Sequence, residues 1–208
     1  MKKSHIISFV VMILLFLPTF VSAQLVKIGA GGGLTQVLEP DYYTDDIGEA
    51  GFGFSTEWNA GIIVKVDLPL LPITPRGFFF YHSLAETGDL PGGSAETSQN
   101  IYEIGLGVQY NLISVPVGLD PYLALDLSYN SSSDLEKHYQ GIEIGPTIIP
   151  GITGVGASVG LGTEVIIVPL INLDLCLSYK MFNLTGKEDG EETISAVTLD
   201  AFIIFNFL

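Results

Sequence analysis

The 208-residue chain has one cysteine, Cys176, one tryptophan, Trp58, and 8 Lys+Arg against 23 Asp+Glu. A single thiol cannot close an internal disulfide, and alternation places it on an inward strand position, so thiol redox chemistry is not expected. A formal charge of −15 repels nucleic acid and other polyanions. After residue 17 the sequence contains no long apolar run free of charges, which excludes a membrane-spanning helix from the rest of the chain.

The one apolar run lies at the front. Met1-Lys2-Lys3 form a basic start, Ile6 to Leu17 a nearly unbroken apolar stretch closed by Pro18, and Val21-Ser22-Ala23 a small-residue cleavage motif. That is the pattern of a secretory signal peptide, 1–23, and the run is shorter than the ~20 residues of a membrane anchor. No cysteine follows the motif, so a lipid anchor is not expected. Removal of Lys2 and Lys3 leaves a single domain, 24–208, that is more acidic still.

What fills that domain is period-two alternation. From Asn100 to Leu112, Tyr102, Ile104, Leu106, Val108, Tyr110 and Leu112 alternate with Glu103, Gly105, Gly107, Gln109 and Asn111. Successive strand residues face opposite sides, so the segment has one apolar wall and one small or polar wall. Eight such strands are expected, near 24–38, 58–68, 76–85, 100–113, 121–130, 153–168, 170–184 and 194–208. Their connections alternate between short proline-containing turns (Pro69 to Pro72, Val115 to Gly118, Pro169) and long polar, acidic loops. An all-β, antiparallel up-and-down transmembrane barrel of eight strands has this plan, with both termini in the periplasm. The third strand, Arg76 to Ser83, is aromatic on both faces and its phase stays open.

The charged strand residues Lys27, Lys65, Asp67, Glu103, Asp126, Glu164, Asp174, Lys180 and Asp200 fall opposite the aliphatic wall. A soluble carrier barrel would do the reverse. These nine residues are therefore expected to line a polar lumen, with Gly29, Gly31, Gly33, Gly105, Gly107, Gly156, Gly160 and Gly162 making room for them. Trp58, Tyr102, Tyr110, Tyr129 and Tyr179 are expected in an aromatic girdle at the headgroup level.

These features resemble the eight-stranded outer-membrane β-barrel family of the OmpA transmembrane domain and the OmpX-type proteins, over residues 24–208. The resemblance rests on the signal peptide, on dyad strands such as Ile171 to Tyr179, and on the terminal strand Val197 to Leu208. It implies an outer-membrane location in a Gram-negative-type envelope, contact with lipid and lipopolysaccharide, and a porin-like label. In that family an aromatic terminal residue in phase with outward apolar residues is read by the barrel-assembly machinery. Here Phe205 and Phe207 are in phase with Ile203 and Leu199, and Leu208 follows.

Chemistry is sparse. Tyr81-His82-Ser83 invites comparison with lipid-modifying barrels that use a His and a Ser, but adjacent strand residues face opposite sides and cannot share a proton. His82 is expected as a girdle residue and His138 as solvated, and no catalytic role, cofactor or metal is assigned. Glu39 to Glu57 carries six acids, including Asp41, Asp45, Asp46 and Glu49, and Lys187 to Glu192 adds Glu188, Asp189, Glu191 and Glu192. Neither stretch has the spacing of a calcium loop, so both are expected to be solvated loops open to an extracellular ligand. The apolar tip Gly145 to Gly151 is expected to pack over the barrel mouth. Two functions fit: a non-enzymatic structural or surface-interaction barrel with a plugged lumen, or a narrow cation-favouring channel, with a lipid-modifying enzyme a distant third. N-terminal sequencing of the exported protein is expected to begin at Gln24; a chain still beginning at Met1 would overturn the signal-peptide reading.

Overall fold

The computed structural model of the chain describes residues 25–48, 51–68, 71–113, 118–141, 143–186 and 191–207. The signal segment, Glu49, Glu188, Asp189, Leu208 and most residues of two expected short turns (Pro69 and Leu70; Val115, Pro116 and Val117) lie outside them. The described elements are β1 (Leu25–Glu39), α1 (Asp41–Thr44), β2 (Thr56–Asp67), β3 (Ile73–Leu90), β4 (Gly93–Asn111), β5 (Leu119–Ser132), β6 (Leu135–Gln140), β7 (Thr147–Ile149), β8 (Thr153–Val168), β9 (Ile171–Thr185) and β10 (Ser195–Phe207).

Eight of these strands close a barrel. The order runs β3-β2-β1-β10-β9-β8-β5-β4, and β4 pairs back onto β3 to complete the ring, every neighbour antiparallel. Closure removes the open edges of a sheet and satisfies backbone N–H and C=O groups strand to strand, the condition for a sheet to cross hydrocarbon. The outer wall is correspondingly apolar: Leu106 is 74% exposed and Leu127 65%. A continuous aliphatic surface of this kind is stable against lipid, not water.

Pairing register settles the phase of β3, which alternation left open. Arg76 lies opposite Lys65 and Gly107, and Phe80 opposite Gly61 and Glu103, so Arg76, Phe78, Phe80 and His82 point inward. Phe79, Tyr81 and Ser83 point out. Trp58, Tyr81 and Tyr102 then form a row on the outer wall, with centroids 5.5 and 5.4 Å apart, and Tyr129 and Tyr179 are exposed on neighbouring strands. Tyr110, Phe205 and Phe207 are exposed toward the other end.

Three expectations about connections need correction. The stretch between the third and fourth strands is a regular hairpin, with β3 and β4 paired from Ile73 and Tyr110 out to Leu90 and Gly93. Its inward positions Ala95, Thr97 and Gln99 are buried but small or polar, so hydropathy alternation fades while backbone pairing continues. The turn passes through Gly92 at φ +94°, a conformation that costs a glycine little. Secondly, β6 and β7 replace part of an expected loop: β6 pairs with β4 above the point where β5 leaves it, and β7 pairs with β6. Thirdly, the tip does not cover the mouth; only its end, Ile149 to Gly151, borders a cleft there, facing Tyr42, Tyr43, Leu135 and Ile194. Residues 143–150 are exposed throughout, with Ile144 and Ile148 more than half so.

The connection after β1 is not simply solvated either. Tyr43, Ile47, Phe52 and Phe54 are buried, and Tyr43, Phe52 and Phe54 join Val37, Leu84, Ile101, Leu135, Phe182 and Ile194 in an apolar core across the barrel mouth. Asp41, Asp45 and Asp46 stay exposed on its outer side, whereas Glu57 belongs to β2 and is buried. Lys137 of β6 clamps this segment: its buried Nζ donates to the carbonyls of Ile47 and Gly51, both at 2.8 Å, beside the Phe52 and Tyr139 rings. Lys137→Met removes both donors and leaves two carbonyls without them, a cost of about 1–3 kcal/mol confined to the mouth. Limited proteolysis is expected to cut the segment between α1 and β2 faster in this variant while the heat-shifted gel migration of the barrel is retained.

Candidate functional site

Inside the ring, the inward positions stack in layers. Nearest the end where β1 begins, Lys65 is wholly buried, its Nζ 2.7 Å from Asp174 Oδ2 and 3.0 Å from Glu164 Oε1. Lys27 reaches the other oxygen of Glu164 at 2.7 Å and Asp67 at 2.8 Å. Tyr122 donates its hydroxyl to Asp174 Oδ1 at 2.6 Å, and Asn172 donates to Glu164 at 3.0 Å. Each carboxylate here accepts from more than one donor, the condition under which a buried charge pair is tolerated.

The next layer centres on Arg76. Its Nε lies 2.8 Å from Asp126 Oδ1 and its terminal nitrogen 2.5 Å from Oδ2, a two-point fork that also fixes orientation. Ser158 donates to the same carboxylate at 2.8 Å. Beside it, Ile63, Phe78, Phe80, Phe202 and Ile204 form an apolar patch, so the interior is not polar throughout.

Toward the mouth, Lys180 lies 2.6 Å from Glu103 Oε2 and its ammonium sits 4.1 Å from the Phe80 ring centroid. His82 is wholly buried, contacting Glu103 at 3.3 Å through Nε2 and the Thr35 hydroxyl at 2.9 Å through Nδ1. Asp200 accepts from Asn59 at 2.8 Å and Thr198 at 2.9 Å. The described cavities between these layers are small: one lined by Arg76, Asp126, Lys180 and Asp200 has about 20 Å³, and one by Ile101, Phe182 and Ile194 about 10 Å³. Such volumes hold about one water each.

All nine inward charges expected from alternation thus point into the barrel, with Lys27 and Asp67 only partly covered near its end. Arg76 and Tyr122 were missed, Arg76 because aromatics on both faces of its strand hide parity. Its signal is the register against Lys65 and Gly107. His82 is not a girdle residue but an interior one, and Ser83 faces the opposite side, so the two do not meet. His138 is exposed on β6, 2.8 Å from Glu136. The glycines make room for rings as well as charges: a Cβ at Gly107 would run into the Asp126 carboxylate, one at Gly105 into the Phe78 ring, and one at Gly162 into Tyr122.

Outside the interior, the charges sort by sign. Every Lys and Arg of the described residues is an interior group or, for Lys137, buried in the mouth. The exposed acids Asp41, Asp45, Asp46, Asp89, Glu96 and Asp134 therefore stand on a rim where no described Lys or Arg is exposed. Among the described residues no cluster of three or more His, Cys, Asp or Glu side chains is arranged to hold a metal ion.

An apolar outer wall, a closed antiparallel ring of eight strands and a charge-paired interior define the eight-stranded β-barrel of outer-membrane proteins. Among solved structures, the chain is similar to Neisserial surface protein A (TM-score 0.58, 16% identity, 89% of this chain and 98% of that one). It is likewise similar to a major outer membrane protein of Thermus thermophilus (TM-score 0.57, 14% identity, 89% and 100%). A third similar structure is Ail, the attachment invasion locus protein of Yersinia pestis, solved with the heparin analogue sucrose octasulfate (TM-score 0.52, 11% identity, 88% and 99%). No protein-family model matches the chain, and no curated protein does.

Lys65→Met should cost about 3–5 kcal/mol, because Asp174 and Glu164 both lose a buried cationic partner. Lys27→Met, at the partly exposed end, should cost clearly less. Equilibrium unfolding in urea checks the pair; equal losses would show that the depth of the ion pair does not matter.

Proposed function

We propose that the chain is exported by its signal peptide, assembles in the outer membrane and works there as a non-enzymatic structural or surface-interaction protein whose lumen is closed. The observation that carries this reading is the pairing of the interior. The Nζ or terminal nitrogen of each of Lys27, Lys65, Arg76 and Lys180 lies within 3.0 Å of a carboxylate oxygen, and Ile63, Phe78, Phe80, Phe202 and Ile204 pack in the interior beside them. An eight-stranded ring is only wide enough to be filled by side chains. With the interior occupied, contact with the surroundings falls to the outer wall, which suits lipid, and to the acidic mouth, which suits lipopolysaccharide bridged by cations or an extracellular partner.

The acidic rim also bears on what such a partner is not. Ail was solved with a sulfated heparin analogue, but this chain has a formal charge of −15 and no described exposed Lys or Arg at the mouth, so a polyanion is disfavoured. Catalysis on lipid is disfavoured because His82 is wholly buried in the interior and Ser83 faces away from it.

A narrow cation channel is the second reading, favoured by six interior acids (Asp67, Glu103, Asp126, Glu164, Asp174 and Asp200) against the four bases named above. Refolding residues 24–208, verifying the barrel by heat-shifted migration and recording planar-bilayer currents separates the two. A folded, silent barrel is expected; sustained cation-selective openings would establish the channel instead.

A further inference from the structure

β2 leaves β3 at the Trp58–Ser83 pair, while β3 runs on to Leu90 in its hairpin with β4. Above that point, the edge of β3 that β2 has left is met by carboxylates instead of a strand. Ala85 donates its N–H to the Glu57 side chain, and Thr87 donates its own to Glu86 Oε1 at 3.1 Å. Glu57 shares the inward parity of Asn59 and is buried in the mouth, beyond the Trp58 row and so outside the lipid-facing part of β2. Glu86 is half-buried on the same side of β3, and its charge acts on the Glu57 carboxyl.

This pair stands where the segment between α1 and β2 docks on the hairpin. Ser55 donates to Glu86 Oε2 at 3.4 Å, Thr97 donates to the Phe52 carbonyl at 2.7 Å, and a Cβ at Gly88 would run into the Ile47 side chain. The remaining groups around Glu57 are uncharged or engaged. β1 presents Thr35 and Val37, with Glu39 beyond them accepting from Ser195. On β3, His82 lies below, held by Thr35 and Glu103, and on β4 Thr97 and Gln99 carry no charge. Lys137 of β6 is bonded to the carbonyls of Ile47 and Gly51, and Asp45 and Asp46 are exposed on the outer side of the segment.

Burial raises the Glu57 pKa most; the Ala85 N–H opposes the rise and the Glu86 charge adds to it. Opening the segment exposes this carboxyl to water, so the closed mouth holds a proton more tightly than the open one. By linkage, the contribution to closure is full below the pKa of the exposed carboxyl and is lost as pH rises through the raised value of the buried one. We propose that Glu57 and Glu86 form a proton-sensitive latch, at which uptake of one proton in mild acid tightens the mouth segment against the β3–β4 hairpin. At neutral pH two carboxylates repel each other at the joint. In acid, Glu57 keeps the Ala85 bond through its carbonyl oxygen, and the repulsion is gone. The latch lies wholly in the mouth and does not depend on whether the lumen conducts.

Amide exchange of Phe52 and Phe54 reads the latch, because their N–H groups bond to the carbonyls of Tyr42 and Tyr43 at 2.9 and 2.8 Å within the segment. Folded residues 24–208 in lipid nanodiscs are compared at about pH 7.5 and about pH 5, which bracket the titration of a raised carboxyl, each rate being divided by that of an unstructured peptide at the same pH. Opening of the unaltered protein is expected to fall about threefold in acid, the size of effect that relief of one like-charge contact between strands produces. Glu57→Gln, uncharged but still an acceptor for Ala85, should hold the segment tightly at both pH values and show no response. Glu86→Gln should be tighter than the unaltered protein at neutral pH and respond less. Opening that stays constant or rises in acid, or a Glu57→Gln variant with the full response, would overturn the proposal. Should Glu57→Gln not fold, an undiminished response in Glu86→Gln, at the half-buried position, overturns it equally.

Discussion

Lys65 has no route to water. Its ammonium sits in the barrel interior, and whatever stabilises it must come from strands far away in sequence, Glu164 from β8 and Asp174 from β9. The same holds for Arg76 with Asp126 and Lys180 with Glu103. Buried charges of this kind are expensive alone and tolerable only with multiple, well-aimed partners. The interior therefore constrains the ring: strand register, strand order and the small residues at Gly105, Gly107 and Gly162 must all be right before the charges meet. A one-residue slip would turn every one of these groups onto the lipid wall and the aliphatic residues into the interior.

The outer wall and the interior are thus two sides of one arrangement. Hydrocarbon offers no hydrogen bonds, so the backbone must be satisfied within the ring and the side chains facing lipid must be apolar. That leaves the interior as the place for charge along the wall, and it takes four of the chain's few bases. One physical result appears at the mouth. With Lys27, Lys65, Arg76 and Lys180 in the interior and Lys137 clamped to carbonyls, the exposed acids above the wall have no described Lys or Arg among them. Among the described residues, the rim is left acidic because the bases are used inside.

The strands, their facing and the nine interior charges were legible because a membrane barrel writes its two faces as alternation, most plainly in Tyr102 to Leu112 and Ile171 to Met181. Legibility fails where both faces carry the same kind of side chain. Arg76 to His82 reads as aromatic on either parity, and only pairing with β2 and β4 decides that Phe78, Phe80 and His82 go in while Phe79 and Tyr81 go out. It fails again where the interior face turns polar and small, at Ala95, Thr97 and Gln99, and the upper hairpin looks like a loop. At the mouth, Tyr43, Phe52 and Phe54 lie among acids and glycines, and their burial depends on partners such as Leu84, Ile101 and Phe182 that no local pattern announces.

By itself, then, the sequence determined a barrel of eight alternating strands, which wall meets lipid and which charges turn inward, because those properties depend on residues two apart. Which charge pairs with which, the phase of β3, the capped mouth and the cleft beside Tyr42 were decided only in the tertiary structure. Each depends on strands brought together across the ring, where distance in space bears no relation to distance along the chain.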